Sequence, residues 1–133
     1  MAEAKALMLD REEILAATRQ GKALTGVQIG HVDLSGANLR GGQFMGCTFA
    51  GTNLEGADLK GANLSGSDLR AANLRYANLF HCSVYKAVFP DEFSPEELLL
   101  SLKEGTRLRP NPLLTLFRKQ GNKADLPPIE EEE

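Results

Sequence analysis

Two histidines, His31 and His81, and two cysteines, Cys47 and Cys82, are the residues of this 133-residue chain that most readily bind metals or react near neutral pH. Metal sites and redox pairs need ligands at set spacings, as in CxxC or HExxH, and no such spacing occurs among these four. Both histidines are solitary. The chain also lacks a Gly-rich phosphate loop opening a helix, a GxSxG elbow and any convergent His, Cys or Glu cluster, so no enzyme and no cofactor is expected. What the residues could do instead is bind. Arg40, Lys60, Arg70 and Arg75 with Tyr76, Phe80 and Tyr85 form the candidate interaction surface, because exposed cations and aromatics are the groups that mark interfaces.

Those residues are spaced by a repeat. From Val27 to Asp91 a large apolar residue recurs every fifth position, from Ile29 through Leu34, Leu39, Phe44, Phe49, Leu54, Leu59, Leu64, Leu69, Leu74 and Leu79 to Val84 and Phe89, thirteen rounds in all. A helix turns ~100° per residue, so residues five apart cannot form one buried stripe. A strand alternates faces with period two, so an odd period would expose every second leucine. The chain must turn by a constant angle per repeat and wrap its large residues around an axis, as a solenoid does.

The other repeat positions agree. The residue two before each apolar centre is small or compact (Ala37, Cys47, Thr52, Ala57, Ser67), and both cysteines fall there, as small buried groups rather than a disulfide or a metal site. Asn or Asp precedes the centre at Asp33, Asn38, Asn53, Asp58, Asn63, Asp68, Asn73 and Asn78, suited to bonding nearby backbone in turns. Glycine follows at the corner from Gly36 to Gly66, after which Ala71, Tyr76, His81 and Lys86 replace it. Gly42 and Cys47 make room for the rings of Phe44 and Phe49.

With A(D/N)LxG repeated as ADLKG, ANLSG and ANLRY, the stretch resembles the pentapeptide-repeat family. The resemblance implies an all-β solenoid, a right-handed quadrilateral β-helix with four repeats per coil, usually bacterial. Thirteen repeats then make a little over three coils, a tower only ~16 Å tall at the ~4.8 Å strand spacing. Stacked columns follow, among them Arg40-Lys60-Phe80, Ser35-Glu55-Arg75 and Met45-Ser65-Tyr85.

Flanking segments read as α-helical caps over the open ends. Asp10 and Glu13 form a capping box that starts a helix over 11–20, stopped by Gly21, within an N-terminal cap of residues 1–26. Ser94, Pro95 and Glu97 start a second helix to Glu104, stopped by Gly105, and Asn111-Pro112 starts a third over 113–120, within a C-terminal cap of residues 92–121. These helices carry more leucine than two short elements can leave exposed, so Tyr76, Phe80, His81 and Tyr85 are read as their apolar seat; the competing reading is that the helices form an interface. Residues 122–133, with Pro127, Pro128 and four terminal glutamates, read as a disordered acidic tail.

The net charge is −3, but over 27–91 five acids cancel five bases, and the excess lies after Asp91. No basic stripe suggests nucleic acid, and no stretch resembles a leader or a membrane span, so a cytoplasmic protein is expected, with no nucleic acid or membrane as partner. The reading is a non-catalytic interaction or scaffold module with a protein partner, which includes pairing with itself as a homodimer. Two alternatives come from the family: a DNA-mimicking inhibitor or protector of a type II topoisomerase, and a secreted bacterial effector or secretion-associated protein. The neutral tower argues against the first, since a DNA mimic must present phosphate-like charge.

Overall fold

The computed structural model describes residues 9–114. Its organising feature is a set of ten parallel bridges, each joining residues twenty apart, from Ala23 with Gln43 to Asp68 with Val88. Four repeats therefore close one coil. Between coils the N–H of each apolar centre from Leu24 to Leu69 donates to the carbonyl nineteen residues on, as Leu54 does to Asn73 (2.8 Å) and Leu59 to Asn78 (2.9 Å). The residue before the centre donates the other way, as Asn73 does to Thr52 (2.9 Å). Within a repeat a bond such as Ala57 N–H to the Leu54 carbonyl (3.0 Å) turns the chain toward the next side. One turn per five residues leaves one bridging residue per side, so the ladders are isolated bridges and no extended strand forms among the described residues.

All ten central residues from Leu34 to Leu79 are fully buried, with Phe44 and Phe49 edge to face at 5.7 Å between centroids. Gly42 does make room for them: a Cβ there would strike the Phe44 ring. Cys47 is also fully buried.

The coil starts one repeat earlier than the expected boundary at residue 26. Ala23 already bridges Gln43, Leu24 is buried as a centre, and Gly26 turns the corner with φ +74°. Lys22 and Ala23 replace the small and Asn/Asp positions, which hides this round in the sequence.

Helix α1, Arg11–Arg19, carries the expected capping box, with Asp10 and Glu13 bonding each other's N–H at 2.9 Å. It buries Ile14 and Ala17 in the same apolar cluster as the first coil, with Thr18 buried too, its hydroxyl donating to the Ile14 carbonyl (2.8 Å). Helix α2, Pro95–Glu104, starts at Ser94, whose Oγ accepts the Glu97 N–H (3.1 Å), and ends at Gly105 with φ +79°. Glu97 does not complete a box here. Its carboxylate instead accepts the Arg109 N–H at 2.9 Å, tying the chain after α2 back to its first turn. Where a third helix is expected over 113–120, residues 112–114 are helical and Asn111 Oδ1 accepts the Leu113 N–H (3.0 Å); the rest of that expectation lies outside the described residues, as do the tail 122–133 and residues 1–8.

Candidate interaction surface

The Asn and Asp side chains fix the corners beside the outward residues. From Asp33 to Asn78, eight of them accept the N–H of the residue two positions on, for example Asn53 from Glu55 (3.0 Å) and Asn78 from Phe80 (2.9 Å). Each such bond clamps the turn that aims the following free side chain outward. The corner residue then takes a left-handed conformation. Tyr76, His81 and Lys86 adopt it too, with φ of 65°, 60° and 60°, at a cost glycine would not incur. Ala71 does not, and there the ladder shifts so that Gly51 N–H meets the Ala71 carbonyl (3.1 Å).

The cations of the candidate surface are paired. Arg40 Nε meets Asp58 at 2.6 Å, one coil below Lys60, and Lys60 Nζ lies 6.0 Å from the Phe80 ring centroid, so the like charges of the Arg40-Lys60-Phe80 column each find a different partner. Arg70 grips Asp68 with two nitrogens, at 3.0 and 2.8 Å, and Arg75 grips Glu92 beyond the last repeat at 3.2 and 3.0 Å. The carboxyls respond. Hydrogen bonds from Arg70, helped by its backbone N–H, pull the Asp68 carboxyl down to about 2. Partial burial pushes the Asp58 carboxyl up, but the Arg40 hydrogen bond and the Lys60 backbone outweigh it, and the group sits below its ordinary value. Bonds from the Ser35 hydroxyl and N–H hold Asp33 down as well.

The aromatics divide. Phe80 stacks on the His81 ring at 3.8 Å and lies against Gly105, where a Cβ would come within 3.4 Å of its ring. Tyr76 and Tyr85 are 46% and 73% exposed, so the C-terminal segment is not seated on all four outward rings as the sequence suggests. It sits instead on the cross-section of the last coil, through Phe93, Ser101 and Leu108. An outward position cannot reach that cross-section, because the repeat dictates which residues point to the axis.

Sequence reasoning missed a job of the small inward position. Where that residue carries a hydroxyl or thiol, it donates to a carbonyl twenty-three residues earlier in the coil below: Cys47 to Leu24 (2.8 Å), Thr52 to Ile29 (2.9 Å), Ser67 to Phe44 (2.6 Å), Cys82 to Leu59 (2.9 Å). The departures from alanine at this position were the available signal. Burial raises both thiols, Cys82 to about 12, which keeps them protonated donors rather than nucleophiles. Among the described residues no group of three or more His, Cys, Asp or Glu could hold a metal ion, and no helix is long and apolar enough to cross a membrane.

Coils of twenty residues whose polar side chains bond their own turns and neighbours define a repeat protein with a rigid, charge-paired outer face. The family described as pentapeptide repeats (8 copies) matches residues 28–66 and, in an overlapping placement, 47–84. That match agrees with the resemblance carried by the A(D/N)LxG repeats. No curated protein matches the sequence.

Proposed function

We propose that the chain is a non-catalytic protein–protein interaction or scaffold module, its tower a right-handed quadrilateral β-helix that holds Arg40, Lys60, Arg70, Arg75, Tyr76, Phe80 and Tyr85 in fixed register. The observation that carries this reading is the pairing of the outer face: Arg40, Arg70 and Arg75 are each braced by a carboxylate, so they stand preset rather than free. Preset cations and exposed tyrosines lose little entropy on docking a partner. The same pairing speaks against mimicry of DNA, because Asp58 and Asp68, which would have to play phosphates, already answer to arginines of the same chain.

A variant carrying Arg40→Ala, Lys60→Ala and Arg75→Ala tests the proposal. A partner captured by the wild-type chain should be lost or bound at least about tenfold more weakly by the variant, since truncating an interface anchor costs ~2 kcal/mol. Equal capture by both chains, with the variant folded, removes this face from the binding surface.

A further inference from the structure

Charge is spread unevenly around the tower. Every Asp, Glu and Arg of residues 27–91 lies on three of its sides, and the fourth carries none of them. The bridges of Ala23 with Gln43, Gln43 with Asn63 and Asn63 with Ser83 define that fourth side, and its charges are Lys22 and Lys86, one at each end. There the Gly26 N–H meets the Met45 carbonyl (2.9 Å), Gly46 the Ser65 carbonyl (2.8 Å) and Gly66 the Tyr85 carbonyl (2.8 Å). Thr25, Met45, Ser65 and Tyr85 therefore stack as one outward column that alternates small and large.

Both large members of the column are open to solvent, Met45 at 43% and Tyr85 at 73%. The corners beside them are bare: the nearest atom to a Cβ at Gly46 or Gly66 is a backbone nitrogen of the coil below, at 3.8 and 3.7 Å. Exposed Tyr and Met on a strip without acids is the composition of an interface core.

We propose that this side binds the same side of a second copy, the two towers antiparallel about a two-fold axis midway between the levels of Met45 and Ser65. That axis sets Met45 opposite the partner's Ser65 and Tyr85 opposite the partner's Thr25, so a large group meets a small one at all four levels. The neighbouring columns match as well. Gly46 faces the partner's Gly66, where two bare corners allow close approach, and Gln43 faces the partner's Asn63. Gln43 gives its amide N–H to the Gly41 carbonyl (3.3 Å) and Asn63 gives its oxygen to the Ser65 N–H (3.0 Å), so the Gln43 oxygen and the Asn63 amide meet as acceptor and donor. Lys86 falls opposite the partner's Gly26, at the rim.

A second copy is chosen over a different protein because the column is complementary to its own inverse, which is what an isologous interface requires. The other sides do not share this property. At full overlap the Ser35-Glu55-Arg75 and Arg40-Lys60-Phe80 columns set Glu55 and Lys60 against themselves, and the remaining side would bury the Arg70–Asp68 pair at a desolvation cost. Four levels at ~4.8 Å span only ~14 Å, so the pair belongs to the small, weak class of interfaces, with half-association at about 10–100 µM. The cationic face is not involved. A chain with Arg40→Ala, Lys60→Ala and Arg75→Ala should pair as the wild type does, so the two binding proposals stand or fall separately.

The test is sedimentation equilibrium of the full chain from about 5 µM to about 1 mM. The expected result is a reversible equilibrium between monomer and dimer. Ser65→Tyr, which sets a large group opposite the partner's Met45, should weaken it at least about tenfold. The double variant Met45→Ser, Ser65→Met keeps large opposite small and should return it to within about threefold of wild type. Both positions point outward, and unchanged amide protection at Leu54 and Leu59 shows that each variant is folded. A monomer at about 1 mM overturns the proposal. So do association that runs past the dimer, which a closed two-fold forbids, association that Ser65→Tyr leaves intact, and a double variant that pairs no better than Ser65→Tyr.

Discussion

Each residue of the repeat answers one local demand, and the corner is the most exacting. Gly36 has φ +64° and no atom within 4 Å of where a Cβ would stand, so Gly36→Ala isolates conformational strain from crowding. Its cost should be ~1–2 kcal/mol, read as a shift of the urea midpoint at constant slope. Lys86 presents the reverse case at φ 60°, and Lys86→Gly should gain ~0.5–1 kcal/mol in the same measurement, the relief of strain being partly offset by a looser unfolded chain. The inward and turn positions were legible because the sequence repeats them often enough to separate signal from accident. The hydrogen bonds of Cys47, Thr52, Ser67 and Cys82 were not. A small residue pattern gives size, and only the stacking of coils brings each donor to a carbonyl twenty-three residues back.

Helix ends were legible where the capping residues are local. Asp10 with Glu13 and Ser94 with Pro95 place the starts of α1 and α2, and Gly105 marks the stop of α2. Ser94→Ala should cost ~1 kcal/mol by thermal unfolding, because the Glu97 N–H loses its acceptor. Ser94→Asp should restore most of that, since an Asp side chain can accept the same bond. What was not legible depends on distant chain. Glu97 turns to Arg109 instead of its own N-cap, and Ser101, an unremarkable helix residue in sequence, is fully buried because its Oγ accepts the Leu79 N–H of the last coil. The start of the coil at Ala23 was hidden for a related reason: its lysine and alanine break the motif while the backbone keeps the register.

At the scale of the molecule, neutrality of the tower conceals paired charges that respond to acid. Asp33, Asp58 and Asp68 are all depressed in the folded state, so what they contribute is fully present above the ordinary carboxylate range near ~4 and disappears as pH falls through the folded values, about 2 for Asp68. The melting temperature should therefore stay level from pH 7 to about 5 and decline between about 4 and 2. Asp68→Asn keeps an oxygen for the Arg70 N–H but removes the charge, and its decline should be shallower than wild type. The contribution is modest, since these groups are largely exposed and screened.

The central claim is that the chain closes one coil every four repeats, because every column and pair follows from that register. Scalar couplings measured by NMR across hydrogen bonds test it directly. Couplings from the Leu54 amide to the Asn73 carbonyl, from Leu59 to Asn78 and from Leu64 to Ser83 are the predicted result. Couplings from these three amides to carbonyls at any other spacing, or none at these amides in the folded chain, would contradict the coil and the surface built on it.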